Sequence, residues 1–463
     1  MAIHMYQIDF HKKLSIHFIG IGGISMSGLA ELLLSKGFDI SGSDSHESPL
    51  TKELSEKGAV IFYGQKASNI QENTDCVVYT AAIREDNPEL MRAKSLQIPT
   101  LTRAELLGQI MRNYETPIAI SGTHGKTTTT SMVSEILLAA ESDPTLSIGG
   151  ILKTIGGNFR VGNSGLFVTE ACEYTNSFLS FFPKIGIILN VEEDHLDFFK
   201  DIHDIRKSFH KFAALIPSDG SLIINGEINE IHSITQDLSC NVITYGFSEA
   251  NDYRAEEITF DEFARPTFRL FEKGTDLGSL TLGVTGRHNV LNALAAIALS
   301  RLLCIPLPVI KEALLRFSGT DRRFEYKGTF NGVTVIDDYA HHPTEIRATL
   351  TAAGNYPHHT VWCVFQPHTY TRTKAFMREF AKALSLADQI VLADIYPARE
   401  TDDLGISSRT LADEIRKEGK EVFYFPSFDE IEKFLLEKCI RGDLLITMGA
   451  GDIVKVGENL LKK

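Results

Sequence analysis

Ser121-Gly122-Thr123-His124-Gly125-Lys126-Thr127-Thr128-Thr129-Thr130 sets a glycine-rich, lysine-bearing turn between an apolar stretch (Ile118 to Ile120) and a run with helical apolar spacing (Met132, Val133, Ile136, Leu137). Such residues can do phosphate chemistry. Backbone N–H groups exposed at a helix start surround phosphate oxygens, Lys126 neutralises charge, and the Thr127 hydroxyl can ligate Mg²⁺. Gly122 and Gly125 stand closer together than the glycines of the usual G-x-x-x-x-G-K-[ST] pattern. A triphosphate cradle also needs hard ligands for its cation, usually at the carboxyl ends of neighbouring strands. Thr169-Glu170-Ala171-Cys172-Glu173 ends one apolar run, and Asn190-Val191-Glu192-Glu193-Asp194-His195-Leu196-Asp197 ends the next. Acidic residues after a strand often just complement a helix dipole. With three strand ends converging, Glu170 becomes the first candidate metal ligand and Glu173 a further one. His195 is a second-metal ligand, an electrostatic partner of the γ-phosphate, or a packed histidine.

A second glycine turn, Gly20-Ile21-Gly22-Gly23-Ile24-Ser25-Met26-Ser27-Gly28, follows the apolar run Leu14 to Ile19. It is similar to a dinucleotide fingerprint, with Asp44 about 20 residues on as a ribose partner. It equally suits any pyrophosphate-bearing ligand, or tight strand-to-helix packing alone. His288, Asn289 and Asn292 open a later helix, where they can read a base edge or cap the helix. Asp338, Tyr339, His341 and His342 share a loop interrupted by Pro343. Adjacent His341 and His342 diverge and do not make a metal site by themselves.

The elements that must position these groups alternate between strand and helix. Runs at Leu14–Ile19, Asp39–Ser43, Val60–Phe62, Cys76–Tyr79 and near Thr100 read as strands of a parallel, doubly wound sheet. Leu166–Thr169, Ile185–Asn190 and Leu222–Asn225 build a second α/β unit, with an antiparallel excursion between Ser248 and Gly278 and a helix from Asn289 to Leu303. Val333–Ile336, Val361–Phe365, Gln389–Ala393, Val422–Phe425 and Leu444–Thr447 build a third. With 463 residues, about three domains are expected. The α/β chain divides into an N-terminal Rossmann-like parallel sheet (1–113), a central P-loop-type ATPase domain (114–321) and a C-terminal Rossmann-like domain (322–463).

A formal net charge of -14 argues against nucleic acid or an anionic membrane as partner, leaving small molecules. Six cysteines without a C-x-x-C pair suggest neither a zinc site nor disulfides. The polar N-terminus lacks a signal-peptide layout, and no apolar run reaches membrane-spanning length, so a cytoplasmic protein without membrane insertion is expected. Oligomeric state has no signature here.

Five ordered motifs, Gly122 to Thr130, Glu193-Asp194-His195-Leu196-Asp197, Gly286-Arg287-His288-Asn289-Val290-Leu291-Asn292-Ala293, Asp337-Asp338-Tyr339-Ala340-His341-His342-Pro343-Thr344-Glu345 and Gln366-Pro367-His368-Thr369-Tyr370-Thr371-Arg372-Thr373, together resemble the Mur ligases of peptidoglycan synthesis. The resemblance covers essentially the whole chain. It implies ATP-dependent joining of a carboxylate to an amine through an acyl phosphate, with UDP-N-acetylmuramate and L-alanine as substrates. The nearest rival is the branch that adds a tripeptide to the same sugar nucleotide. A nucleotide sensor or an NAD-dependent oxidoreductase would leave most of these motifs idle.

By the same resemblance Gly22, Gly23 and Ser27 lie at the UDP diphosphate and Asp44 near the nucleoside, with Thr80, Ala81, Ala82 and Arg103 as further contacts. Gly122, Thr123, His124, Gly125, Lys126, Thr127 and Thr128 cradle ATP. Thr127, Glu170 and His195 hold Mg²⁺, and His288, Asn289 and Asn292 meet adenine. Arg323 reaches the phosphates and Asp338 lies near ATP. Tyr339, His341 and Arg372 serve the amino acid, Arg372 holding its carboxylate. The amine must arrive neutral, and His341 and His195 are both candidate bases. Ser25 stands where many members have glycine. Thr369 stands where related sequences often have arginine, leaving Arg372 as the one evident clamp.

Overall fold

The structure, a computed structural model, describes residues 6–80, 82–398, 400–401 and 404–463. Its strands form three sheets, one in each third of the chain. The first has five parallel strands in the order Val60–Tyr63, Asp39–Asp44, Ser15–Ile19, Cys76–Tyr79, Thr100–Thr102. Ser15–Ile19 is central because its apolar residues are buried on both faces, as a covered parallel strand requires. Strand order reverses beside it, and the turn at Gly20 opens at that switch point. Gly20 takes φ +83°, a conformation available to glycine at little cost.

The central sheet has ten strands. Its parallel core runs Asn241–Gly246, Ser221–Asn225, Ile185–Ile188, Thr116–Ser121, Leu166–Ala171, Thr145–Leu152. Gly157–Arg160 adds an antiparallel edge on one side. Tyr253–Phe260, Pro266–Glu272 and Thr275–Thr281 extend the other, and their mutual pairing is antiparallel, as the alternation there suggests. Helices Lys126–Ala139 and His288–Leu302 pack on this sheet. The second is buried nearly all round, and its alanines let the two helices approach closely.

The third sheet runs Glu325–Phe330, Val333–Asp338, Leu444–Met448, Val361–Phe365, Gln389–Leu392, Val422–Tyr424, parallel except for its first strand. That strand, and Thr145–Leu152, Gly157–Arg160 and Asn241–Gly246 in the central sheet, carry too many glycines or polar residues to announce themselves. The strand expected to reach Asn190 ends at Ile188, which frees the following segment to turn across the cradle. Among the described residues, no helix is long and apolar enough to cross a membrane.

Candidate active site

The cradle grows from Thr116–Ser121, at the point where the central strand order reverses. Gly122 takes φ +145° and Gly125 φ +81° as the N-cap of the helix that Lys126 begins. A Cβ on Gly125 would come 2.6 Å from Asn292 Oδ1, so the turn and the helix His288–Leu302 fit only because that position is glycine. Lys126 folds back over the turn. Its Nζ donates to the Gly122 carbonyl, to the Thr123 carbonyl at 3.1 Å and to Glu173 Oε2 at 2.9 Å. Burial opposes charge on Lys126, but Glu173, only 2% exposed, together with Cys172 and Glu170 outweighs it and raises the lysine's pKa. The ammonium is therefore fixed, and Glu173 acts here as its counter-charge.

Thr127 Oγ1 donates to Glu170 Oε2 at 3.1 Å, and the Gly149 N–H donates to Glu170 Oε1 at 2.5 Å. Burial raises the pKa of Glu170 against these bonds and against Lys126 and Arg323. A hydroxyl and a half-buried carboxylate, side by side at this turn, are the kind of hard-oxygen donors that Mg²⁺ takes. His195 stands apart from that pair. Its Nε2 is 3.8 Å from Glu173 Oε1 and 3.7 Å from Asp194 Oδ2, its ring stacks on Tyr174 at 4.4 Å, and its backbone takes φ +53°. Burial lowers its pKa despite both carboxylates.

Asp194 links the central sheet's loops to the third. Its Oδ1 accepts from Arg372 Nε at 3.1 Å and Nη2 at 3.0 Å, and from the His195 N–H at 2.8 Å. Although burial works against it, the Arg372 guanidinium holds the Asp194 carboxyl well below the usual range. Arg372 Nη1 meets His368 Nδ1 at 3.2 Å, and the His368 ring stacks on Tyr396. His341 lies 5.7 Å from His368 between ring centroids, and its Nδ1–H donates to the Tyr339 carbonyl at 3.0 Å. That bond leaves Nε2 with the lone pair. Burial pushes the pKa of both His341 and His368 down to about 4, so both are neutral at pH 7.

A cavity of about 420 Å³ opens beside the cradle, between the central sheet and the third. His124, Gly125 and Thr128 form one wall, His288, Asn289 and Asn292 another, and Arg323 and Asp338 a third. Asn292 Nδ2 donates to Asn289 Oδ1 at 3.0 Å, and burial lowers His288 to about 4. Asp338 is raised to about 6 by burial, with Arg323 opposing. Arg323 sits over the Tyr339 ring at 5.3 Å.

The first sheet's turn is more self-satisfied. The Gly22 N–H donates to Asp44 Oδ2 at 2.8 Å, and the Ser27 hydroxyl donates to the Ile24 carbonyl at 3.0 Å. Gly23 caps the helix Ile24–Ser35, and Arg103 Nη1 donates to Ser25 Oγ at 3.1 Å. Thr80 Oγ1 accepts from the Ala82 N–H at 2.9 Å, and Ala81 lies outside the described residues. Thr369, at φ +68°, caps Tyr370–Ala375 without a side-chain bond.

Motif reading brought forward most of these residues and passed over Asp194, His368 and Tyr174 as partners. Asp194 and His368 stand inside the motifs, but pairing across the seam leaves no spacing to read.

Three family models match in order: "Mur ligase family, catalytic domain" over residues 15–115, "Mur ligase middle domain" over 120–300 and "Mur ligase, glutamate ligase domain" over 322–451. The chain belongs to the Mur ligase family. This Mur ligase is 63% identical to the UDP-N-acetylmuramate–L-alanine ligase of Lachnospira eligens, across 99% of its own length and 100% of the relative's. The corresponding protein of Agathobacter rectalis is 61% identical at the same coverage. Among solved structures, UDP-N-acetylmuramate–alanine ligase MurC of Thermotoga maritima superposes with a TM-score of 0.79 at 33% identity, over 97% of this chain and 98% of that one. A murein peptide ligase of Psychrobacter arcticus gives 0.70 at 25%, over 97% and 98%.

Proposed function

We propose that this Mur ligase joins L-alanine to UDP-N-acetylmuramate with ATP, releasing ADP and phosphate, in the cytoplasm. The observation that carries the reading is the Asp194–Arg372 pair, 3.0 Å apart, which joins the loop after Ile185–Ile188 to Arg372 of the third sheet and supports reading the His341, His368 and Arg372 cluster as the amino-acid site. We assign residues 1–113 to the sugar nucleotide, 114–321 to ATP and 322–463 to the amino acid.

The muramate carboxylate and the triphosphate repel each other, so the first step needs fixed positive charge. Lys126 supplies it at the γ-phosphate, where its ammonium exchanges the Gly122 and Thr123 carbonyls for phosphate oxygens. His288, Asn289 and Asn292 hold adenine, while Arg323 and Asp338 bound the nucleotide from the third domain. Thr127 and Glu170 would hold Mg²⁺, with His195 near a second site; the bound cation disperses phosphate charge. The carboxylate oxygen bonds to the γ-phosphorus as the bond to ADP breaks. The amine then bonds to the acyl carbon, and phosphate leaves.

Arg372 holds the amino-acid carboxylate with the Nη edge that Asp194 leaves free. His341 is the better base of the two candidates, because its Nδ1 proton is pinned on the Tyr339 carbonyl and its Nε2 lone pair is available. His195 faces two carboxylates instead. Closure of the seam keeps water from the acyl phosphate.

Phosphate release that requires both UDP-N-acetylmuramate and L-alanine is the expected result. Equal turnover with the tripeptide would assign the chain to the peptide-recycling branch, and reduction of NAD⁺ without ATP use would remove it from ligase chemistry.

A further inference from the structure

Beside the cavity, at the seam between the central and third sheets, His124, Glu192 and His342 bring one ligand atom each within 4.8 Å of the others. None of the motifs above assigns these three a common task. His124 Nδ1–H donates to Glu345 Oε1 at 3.2 Å, which turns Nε2 toward Glu192 Oε2 at 3.6 Å; Nε2 is buried and makes no hydrogen bond. His342 is 4% exposed, and its Nε2–H donates to the Glu193 carbonyl at 3.1 Å. Its Nδ1 lone pair caps the helix Pro343–Gly354, accepting from the Thr344 N–H at 3.3 Å. The two rings lie 4.6 Å apart, and Thr344 Oγ1 steadies Glu192 Oε2 at 2.6 Å.

Each histidine thus has one nitrogen fixed by an oxygen acceptor and the other turned inward; on His124 the inward Nε2 faces Glu192 and carries a proton that an incoming ion displaces. That is the outer arrangement of metal-bound histidines, in which a carboxylate or carbonyl sets the tautomer and ring direction. Two imidazoles and a carboxylate suit a borderline ion of the zinc class, with a fourth position left for water. The three atoms need draw together by only about 1 Å to reach Zn–N and Zn–O distances of ~2.0–2.2 Å. Glu192 and His124 line the cavity, which supplies a route in.

We propose that His124, Glu192 and His342 form a further, transition-metal site of the zinc class, separate from the Mg²⁺ positions proposed at Thr127 and Glu170 and near His195. His124 and Glu192 come from the central domain and His342 from the third, so an ion there fastens the two together. The site does not depend on which amino acid the ligase uses.

Co²⁺ reports its coordination in the visible spectrum, and Zn²⁺ can then displace it. Nucleotide-free full-length protein, titrated with Co²⁺ and then Zn²⁺, should take up one ion per chain with a low-coordinate cobalt band. His342→Asn retains a helix cap, and Glu192→Gln retains an acceptor for Thr344; each should weaken Zn²⁺ binding by at least about tenfold. Glu345→Gln should weaken it less, and His195→Ala should leave it unchanged. Binding that persists in both His342→Asn and Glu192→Gln would overturn the site, as would binding abolished by His195→Ala, which would place the ion at the catalytic cradle. Absence of any cobalt band at millimolar metal would also overturn it. These readouts involve no turnover, so they stand or fall apart from the ligase reading.

Discussion

Two glycine turns in this chain follow the same plan, a buried parallel strand, a switch in strand order and a helix start, yet they are finished differently. In the first, Gly23 caps its helix at an ordinary φ of -64°, the Gly22 N–H is taken by Asp44, and a cation, Arg103, arrives from a later helix to Ser25. In the second, Gly125 caps at φ +81°, and the next residue is a partly buried lysine held by Glu173. A diphosphate that is only gripped can be met by N–H groups and a distant guanidinium. A triphosphate that is cleaved needs charge fixed at the bond that breaks, and the carboxylates that keep that charge in place without nucleotide. On the proposed function, the lysine and its glutamate mark the reacting site.

The strongest way to break this contrast is Lys126→Ala. Turnover should fall about a thousandfold or more, because the substitution removes the charge nearest the transferring phosphoryl group. Calorimetric affinity for UDP-N-acetylmuramate should stay within about threefold, since the sugar nucleotide is assigned to the first turn. If that affinity collapses as well, the division of labour between the turns is wrong.

Asp194→Asn probes how the third domain's cluster is held to the second turn. The substitution keeps the shape and removes the charge that both Arg372 nitrogens meet. Weakening a buried, hydrogen-bonded charge pair costs about 2 kcal/mol or more, so KM for L-alanine should rise about 30-fold. KM for the sugar nucleotide should not move. A rise in KM for ATP equal to that for alanine would mean that Asp194 serves closure alone and does not orient the clamp.

The second turn also carries a titrating group that the first lacks. Burial disfavours charge on His124, but Glu192 and Glu345 outweigh it and raise its pKa to about 9. A histidine raised above its unfolded value of about 6.5 contributes stability in full below that pH, and loses it as pH rises through the folded value. His342, lowered to about 4 by burial, is present in both the wild type and His124→Gln, so its own titration cancels from the difference between them. Urea midpoints of the wild type and His124→Gln should therefore differ most near pH 6 and converge above pH 9. A difference that stays flat from pH 6 to 10 would show that the contact of His124 with Glu192 and Glu345 is not ionic.

Much of this contrast was legible in the sequence. Lys126, Thr127 and Glu170 stand at short spacings from strand ends, where residue type and local structure together state a role, and the structure brings Thr127 and Glu170 within 3.1 Å. The three-sheet architecture followed from the alternation of apolar runs. What stayed hidden is non-local. Asp194 and Arg372 lie in different domains, and nothing about either residue names the other. Edge strands such as Glu325–Phe330 were hidden because half-exposed strands carry polar residues on one face. Ser27, which the resemblance implies at the diphosphate, has its hydroxyl donating back to the Ile24 carbonyl, a local helical bond that residue type and spacing do not announce.

The smallest effect belongs to the first turn. Ser25 holds Arg103 Nη1 at 3.1 Å, and burial lowers the pKa of that guanidinium, which has no carboxylate partner within salt-bridge distance among the described residues. If the first turn works by grip alone, Ser25→Gly removes one bond that aims the cation, worth about 1 kcal/mol. Affinity for UDP-N-acetylmuramate should fall about fivefold, with KM for ATP and L-alanine unchanged. Should the glycine variant bind the sugar nucleotide more tightly, Ser25 would be restraining Arg103 away from the diphosphate, and the first turn would rely on its backbone N–H groups and helix dipole without a guanidinium.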